Sequence, residues 1–230
     1  WWSDKWDPME HGKTFNFEKP FFEQFAELQK NVPRMSLNCI SNENSEFTNY
    51  AYRNKNSYLV FTADFNEDSY YGRFGCNNFK CSDWDFTDKS THCHETIDVA
   101  ECNKCFFSQK CENSSELYFC YDMKGCHNCI FSANLRNKRN CILNKQVTLE
   151  EFQKAKEELN LGSHQGIMDA MKKGYEFLST QPRKYLEILQ CEESLGDYLK
   201  NSKNAQYCFD SQKLHDVKYV SQLGGGKDCY

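Results

Sequence analysis

The sequence predicts a mainly β protein: a tight β-solenoid, or β-helix, of about twelve residues per coil with a small Ser/Cys/Ala interior, an N-terminal amphipathic helix and an α-helical insertion. Three observations predict it. The segments NENSEF from Asn42, NKNSYL from Asn54 and NEDSYY from Asn66 recur at twelve-residue spacing, each with Ser in fourth place. Every third residue from Asn42 to Val147 is uncharged except Lys138, in a chain that is 27% charged. A three-residue step walks about 60° round an α-helix and makes no stable face, whereas a coil that turns inward four times in twelve residues buries those positions on every side.

The elements follow in order. Residues 1–35 are an aromatic, acidic segment, WWSDKWDP, and a covering helix in which Phe21, Phe22, Phe25, Leu28 and Val32 share one stripe between Pro20 and Pro33. Residues 36–147 are the solenoid. Its fourth-place column reads Ser45, Ser57, Ser69, Cys81, Cys93, Cys105, Leu117, Cys129 and Cys141, a ladder of small side chains. Trp84 is the misfit among the inward positions and is expected to mark a bulge or a coil edge. Residues 148–190 are the helical insertion, opened by a capping box of Thr148 and Glu151 ahead of Phe152, Ala155 and Leu159. Ser163 caps a second helix carrying Ile167, Met168, Met171, Tyr175 and Leu178. Residues 191–230 resume the coils, the one from Ser194 to Ala205 being a residue short.

Two outward columns follow the ladder and read Phe47, Tyr58, Leu59, Tyr70, Tyr71, then Phe106, Phe107, Tyr118, Phe119, Ile130 and Phe131, then Ile142 and Leu143. They predict a continuous aromatic flank. Such a surface needs a cover, and the N-terminal helix is expected to supply part of it, with insertion helices or a partner chain over the rest. The column before the ladder is polar: Asn44, Asn56, Asp68, Lys80, His92, Lys104, Glu116, Asn128 and Asn140. The end at Tyr230 falls in mid-coil, which predicts either further protein or self-association through an open coil. The start at Trp1 predicts a fragment.

Composition narrows the function. A net charge of -5 argues against nucleic acid, although Arg136, Lys138, Arg139 and Lys145 cluster, as do Arg183 and Lys184. No run approaches the roughly 18 apolar residues of a membrane span, and the expected compartment is the cytoplasm. No Gly-rich phosphate loop, nucleophile elbow or HExxH occurs, and a twelve-residue coil has no lumen, so an enzyme is the least favoured class.

The period and interior resemble the twelve-residue β-helices of certain insect antifreeze proteins, where inward Cys, Ser and Ala also recur every third residue. Their outward Thr-x-Thr ladder is missing here, so ice binding is not implied. Fourteen cysteines read first as structural thiols, with disulfides or zinc ligation as alternatives. Cys102/Cys105 and Cys126/Cys129 have the look of zinc pairs, but two coils separate them, about 9.6 Å at the strand spacing, too far for one tetrahedral ion with zinc–sulfur bonds of about 2.3 Å. Cys105 with Cys111, and Cys120 with Cys126, would face each other across one coil, as the disulfides of the insect coils do. Ladder neighbours such as Cys93/Cys105 and Cys129/Cys141 should lie one coil apart, within reach of a disulfide or a shared soft metal. His92 and His94 flank Cys93 outward and read as a surface pair, with a small transition-metal site as the sharper alternative.

At WWSDKWDP, FNFEKPFFEQF, ENSEFTNYA, NEDSYYGRF, NLRNK, PRKY and LKNSKN the chain resembles a family of uncharacterised proteins predicted from genomes of uncultivated candidate-phyla bacteria. That family generally carries a zinc ribbon upstream of the Trp-Trp motif, and the resemblance implies a bacterial origin without an activity. The function expected is a non-enzymatic repeat scaffold for protein–protein interaction, with a thiol-based metal or redox protein as the alternative and a nucleic-acid-associated protein behind it. Tyr58, Tyr70, Tyr71, Phe106, Phe107, Tyr118, Phe119 and Phe131 are the expected contact residues.

Overall fold

The computed structural model describes residues 4–230, so the Trp-Trp pair that heads WWSDKWDP lies outside the described residues. The chain is mainly β and divides into two compact units, one ending at Ser179 and one spanning Thr180–Tyr230. In the first unit, successive strands run parallel, each paired with the segment twelve residues further on. Tyr58 lies opposite Tyr70, Ser82 opposite His94, His94 opposite Phe106, Cys105 opposite Leu117 and Cys129 opposite Cys141. The strand Asn103–Glu112 pairs twice, first with Ser115–Tyr118 and then with Tyr121–Lys124. The last pair, Arg139–Ile142 with Lys145–Gln146, is antiparallel and precedes the helices.

The backbone turns at every third residue. From Ser41 to Leu143 that position has φ near +50°, with Gly125 the one glycine among them. An L-residue there meets steric resistance of about 1–2 kcal/mol, which Asn and Asp tolerate best. Asn44, Asn56, Asp68, Asn128 and Asn140 are consistent with that tolerance, but Phe47, Tyr71, Phe107 and Phe119 occupy the same conformation with no such help. The residue after each turn points inward. All such positions from Thr48 to Ser132 are buried, apart from a half-buried Gly75.

Buried polar side chains in these positions close the backbone bonding between strands. The Oδ1 atoms of Asn54, Asn66 and Asn78 accept from the amides of Asn66, Asn78 and Ser90 at 2.9–3.0 Å. The hydroxyls of Ser90 and Ser114 accept from the amides of Cys102 and Cys126 at 3.2 and 3.0 Å. A buried amide left without such an acceptor would cost about 1–3 kcal/mol, which explains why Asn and Ser occupy an interior that excludes charge.

Trp84, expected to mark a bulge or coil edge, is buried and pairs in register with Gly72 and Thr96; the ladder to Tyr70–Cys76 ends one residue later, at Arg73 and Asp85, whereas that to His94–Ala100 runs on to Asp88 and Ala100. Its indole fills the room that Gly72 leaves, since a Cβ there would overlap the ring; at Gly75 a Cβ would first meet the Thr87 carbonyl oxygen, with the ring's Cζ3 at 2.8 Å.

The helices α1 (Phe21–Asn31), α2 (Leu149–Glu158) and α3 (His164–Ser179) form where their stripes and caps predict. Thr148 and Glu151 make the capping box, and the Ser163 hydroxyl accepts from the Gly166 amide at 3.0 Å. Covering by α1 is not what the structure shows. No residue of α1 is buried, and its partners are its own approach segment, through Gln24 to Asn16 and a Phe15–Phe21 ring contact at 6.4 Å. The stripe of Phe21, Phe22 and Phe25 therefore stays exposed.

The second unit holds a five-stranded parallel sheet around Leu199, Ala205, Cys208, Leu214 and Val217. Its first pairings are offset by eleven residues and its later ones by twelve, the change falling between Leu195 and Gly196. The short coil expected at Ser194–Ala205 is that shift: Ser194 Oγ accepts from the Ala205 amide across eleven positions at 3.1 Å.

Candidate functional site

The aromatic flank of the first unit carries exposed Phe47, Tyr70 and Tyr71, and it is not continuous. Ser82 with Asp83 and His94 with Glu95 occupy its columns in mid-course, and they divide it into a bare stretch and a covered one. His94 is fixed at this divide: its Nδ1 lies 2.7 Å from Ser82 Oγ and 3.2 Å from Asp83 Oδ2, and its ring meets Phe107 edge-on at 5.4 Å.

Beyond the divide the rings stack twelve residues apart. Phe106 lies on Tyr118 with centroids 5.4 Å apart, and Phe107 on Phe119 at 4.8 Å, each pair nearly parallel. The helices α2 and α3 cover these rings. Tyr118, Phe119 and Phe131 keep only 4, 3 and 8% of their surface, and Phe152 of α2 is wholly buried with them. Gly174 allows the approach of α3, since a Cβ there would stand 3.0 Å from Phe119 Cβ.

Before the divide the same columns are open. Phe47 meets Tyr58, and Tyr58 meets Tyr71, edge-on at 5.6 and 5.9 Å, but Phe47 and Tyr71 remain 57 and 53% exposed and Tyr70 39%. One sheet face thus shows the same aromatic pattern with and without helices over it.

A charged knot secures α2. Lys156 Nζ donates to Glu116 Oε2 at 2.6 Å, the Tyr118 hydroxyl donates to the same oxygen at 2.8 Å, and Lys104 lies 3.1 Å from Oε1. Burial pushes Glu116 upward, but the bonds from Lys156, Tyr118 and Lys104 outweigh it and hold the carboxyl below its usual range. Burial also lowers Lys156, and its bond to Glu116 more than restores it. Tyr118 is pushed up to about 12, chiefly by burial. The sequence places Glu116 and Lys104 only on a polar column, and the one signal for Lys156 is its place beside the Phe152, Ala155 and Leu159 stripe of α2. Between flank and helices a cavity of about 470 Å³ remains, walled by Phe106, Phe107, Tyr118, Leu161 and Ile167, with His94 and Lys156 as its polar members.

All fourteen cysteines are free thiols. The ladder thiols donate to backbone oxygens, Cys81 Sγ to Ser90 O at 3.4 Å, Cys93 Sγ to Thr91 O at 3.5 Å, Cys129 Sγ to His127 O at 3.4 Å and Cys141 Sγ to Arg139 O at 3.6 Å, and Cys93 neighbours Cys81 and Cys105 along the ladder. Cys120 neighbours Cys126 and Cys111 without a thiol–thiol bond. Burial raises Cys111 and Cys129, and pushes Cys120 up to about 12. The neighbouring Cys93 thiol and then burial raise Cys81. His92 is exposed and edge-on to Phe79, so it and His94 diverge from the buried Cys93. Among the described residues no three His, Cys, Asp or Glu side chains gather as a metal site. Of the basic cluster, Arg136 is engaged by Asp122 at 2.7 Å. No helix among the described residues is long and apolar enough to cross a membrane.

No protein-family model matches the chain, and no curated protein sequence matches it. Among solved structures, a protein of Desulfovibrio desulfuricans G20 to which acetyltransferase activity is ascribed aligns at 12% identity and a TM-score of 0.18, over 86% of this chain. The chain spans 61% of that structure's length.

Proposed function

We propose that the chain is a non-enzymatic β-solenoid scaffold whose bare aromatic stretch docks an amphipathic helix of a protein partner. The observation that carries this reading is the divided flank: α2 and α3 cover it from Phe106 onward, while Phe47, Tyr70 and Tyr71 stay open. A surface that already seats helices over half its length has the shape and chemistry to seat another. The chain owns a helix of that kind, α1, whose Phe22 is 80% exposed. A second copy is therefore the occupant to test first.

Sedimentation velocity across a concentration series tests it. A dimer that dissociates on dilution, and is lost equally in Phe22→Asp and Tyr71→Asp, supports helix docking between copies. A monomer at every concentration, or a dimer indifferent to both substitutions, removes the reading.

A further inference from the structure

The parallel ladder of the first unit has an outer edge at Asn42–Phe47. Further along, a segment bonds on both sides: Glu67 N–H donates forward to Asn78 O, and Asp68 N–H donates back to Lys55 O. At the edge only the forward side is used. Glu43 N–H donates to Asn54 O, but Asn42 O, Asn44 N–H, Ser45 N–H and Phe47 N–H have no partner among the described residues. The helix that precedes them does not cover them, since no residue of α1 is buried and Asn44 and Phe47 are exposed.

These groups select an extended chain. Twelve residues on, their equivalents are all engaged by the neighbouring segment: Asn54 O accepts from Glu43 N–H at 2.9 Å, Asn56 N–H donates to Glu43 O at 3.0 Å, Ser57 N–H to Ser45 Oγ at 3.1 Å and Leu59 N–H to Glu46 O at 3.2 Å. A parallel strand laid on the edge repeats that register, as in recognition by strand addition.

The side chains select a basic one. Glu43 and Glu46 are exposed, and neither has an ion-pair partner among the described residues, because Lys55 turns to Glu67 at 3.6 Å. Asn44 Nδ2 donates to Asn56 Oδ1 at 2.9 Å, which leaves Asn44 Oδ1 open to a donor. The same edge of a second copy would bring carboxylates against carboxylates.

We propose that Asn42–Phe47 is a docking edge for an extended basic segment of a protein partner, added as a parallel strand with one basic residue over Glu43 and another, three places on, over Glu46.

The probe is the peptide acetyl-TNKNSKVT-amide, and acetyl-TNENSEVT-amide is its acidic counterpart. Nitrogen–proton NMR spectra of the labelled chain follow each titration to millimolar peptide. The basic peptide is expected to shift the Asn44 and Phe47 amides saturably and, at low salt, to bind about fivefold more tightly than the acidic one. In Glu43→Lys/Glu46→Lys the preference should reverse. Both side chains are exposed, so that variant keeps the fold. Tyr71→Asp, which tests helix docking, should leave the peptide shifts unchanged, so the two readings fail separately.

Three results overturn the proposal. The Asn44 and Phe47 amides stay unmoved at millimolar peptide, or the two peptides bind equally well. The third is movement of those amides when the protein alone is concentrated, which would put a second copy on the edge.

Discussion

The indole of Trp84 occupies the space that the absent side chain of Gly72 leaves, twelve residues away and directly opposite in the ladder. Each residue makes the other possible. Introducing a methyl group in Gly72→Ala forces it into the ring, and overpacking of this kind costs about 1–3 kcal/mol. Trp84→Ala, which empties the site, should cost about 3–5 kcal/mol. The double variant should cost less than the sum. Urea denaturation of the three variants measures this coupling, and strict additivity would show that the two positions do not meet.

Asn66 tests the buried polar ladder. Its Oδ1 accepts from the Asn78 amide at 3.0 Å, and its Nδ2 donates to Asn54 Oδ1 at 2.9 Å. Asn66→Leu keeps the branched shape but strands an amide, at about 1–3 kcal/mol. Hydrogen exchange at the Asn78 amide should accelerate more than at amides two strands away.

The Glu116 knot predicts an acid response. Its folded pKa lies below the unfolded value, so its stabilisation is present above the unfolded carboxylate range and is lost as pH falls through the folded pKa. With Lys156 about one-third exposed, solvent screening limits the effect to about 1 kcal/mol. Between neutrality and acid, the melting temperature of Glu116→Gln should fall less than that of the wild type. Parallel curves would mean the knot contributes nothing that depends on protonation.

The thiols should separate into two classes. Cys39 is exposed and Cys76, Cys191 and Cys229 are half-buried, whereas the remaining ten are buried. In the native protein an aromatic disulfide reagent should label four thiols quickly and the others only on unfolding. Fast labelling of Cys111 or Cys120, where burial suppresses the thiolate, would contradict the burial described.

Much of the first unit was legible in the linear pattern. Uncharged residues at every third place marked the buried positions from Thr48 to Ser132, and Thr148 with Glu151 marked the start of α2. The left-handed turns were legible only where Asn or Asp stood, at Asn44, Asn56 and Asp68. At Phe47, Tyr71 and Phe107 nothing local favours φ > 0, and only the regular stacking of strands imposes it. Ser82, Asp83, His94 and Glu95 stood in plain view in the flank columns, so its division was readable from the sequence as well.

What the sequence determined by itself is the period of twelve and the identity of the inward side chains, because a spacing of three combined with exclusion of charge admits one side to the core whatever surrounds it. Which helix covers which surface was decided by tertiary structure. Both α1 and the α2–α3 pair carry an apolar stripe, and hydrophobicity has no direction that would assign either to the flank. The Lys156–Glu116 bond, spanning forty residues, and the close approach allowed by Gly174 seat α2 and α3 there, and α1 is left with its phenylalanines in the open.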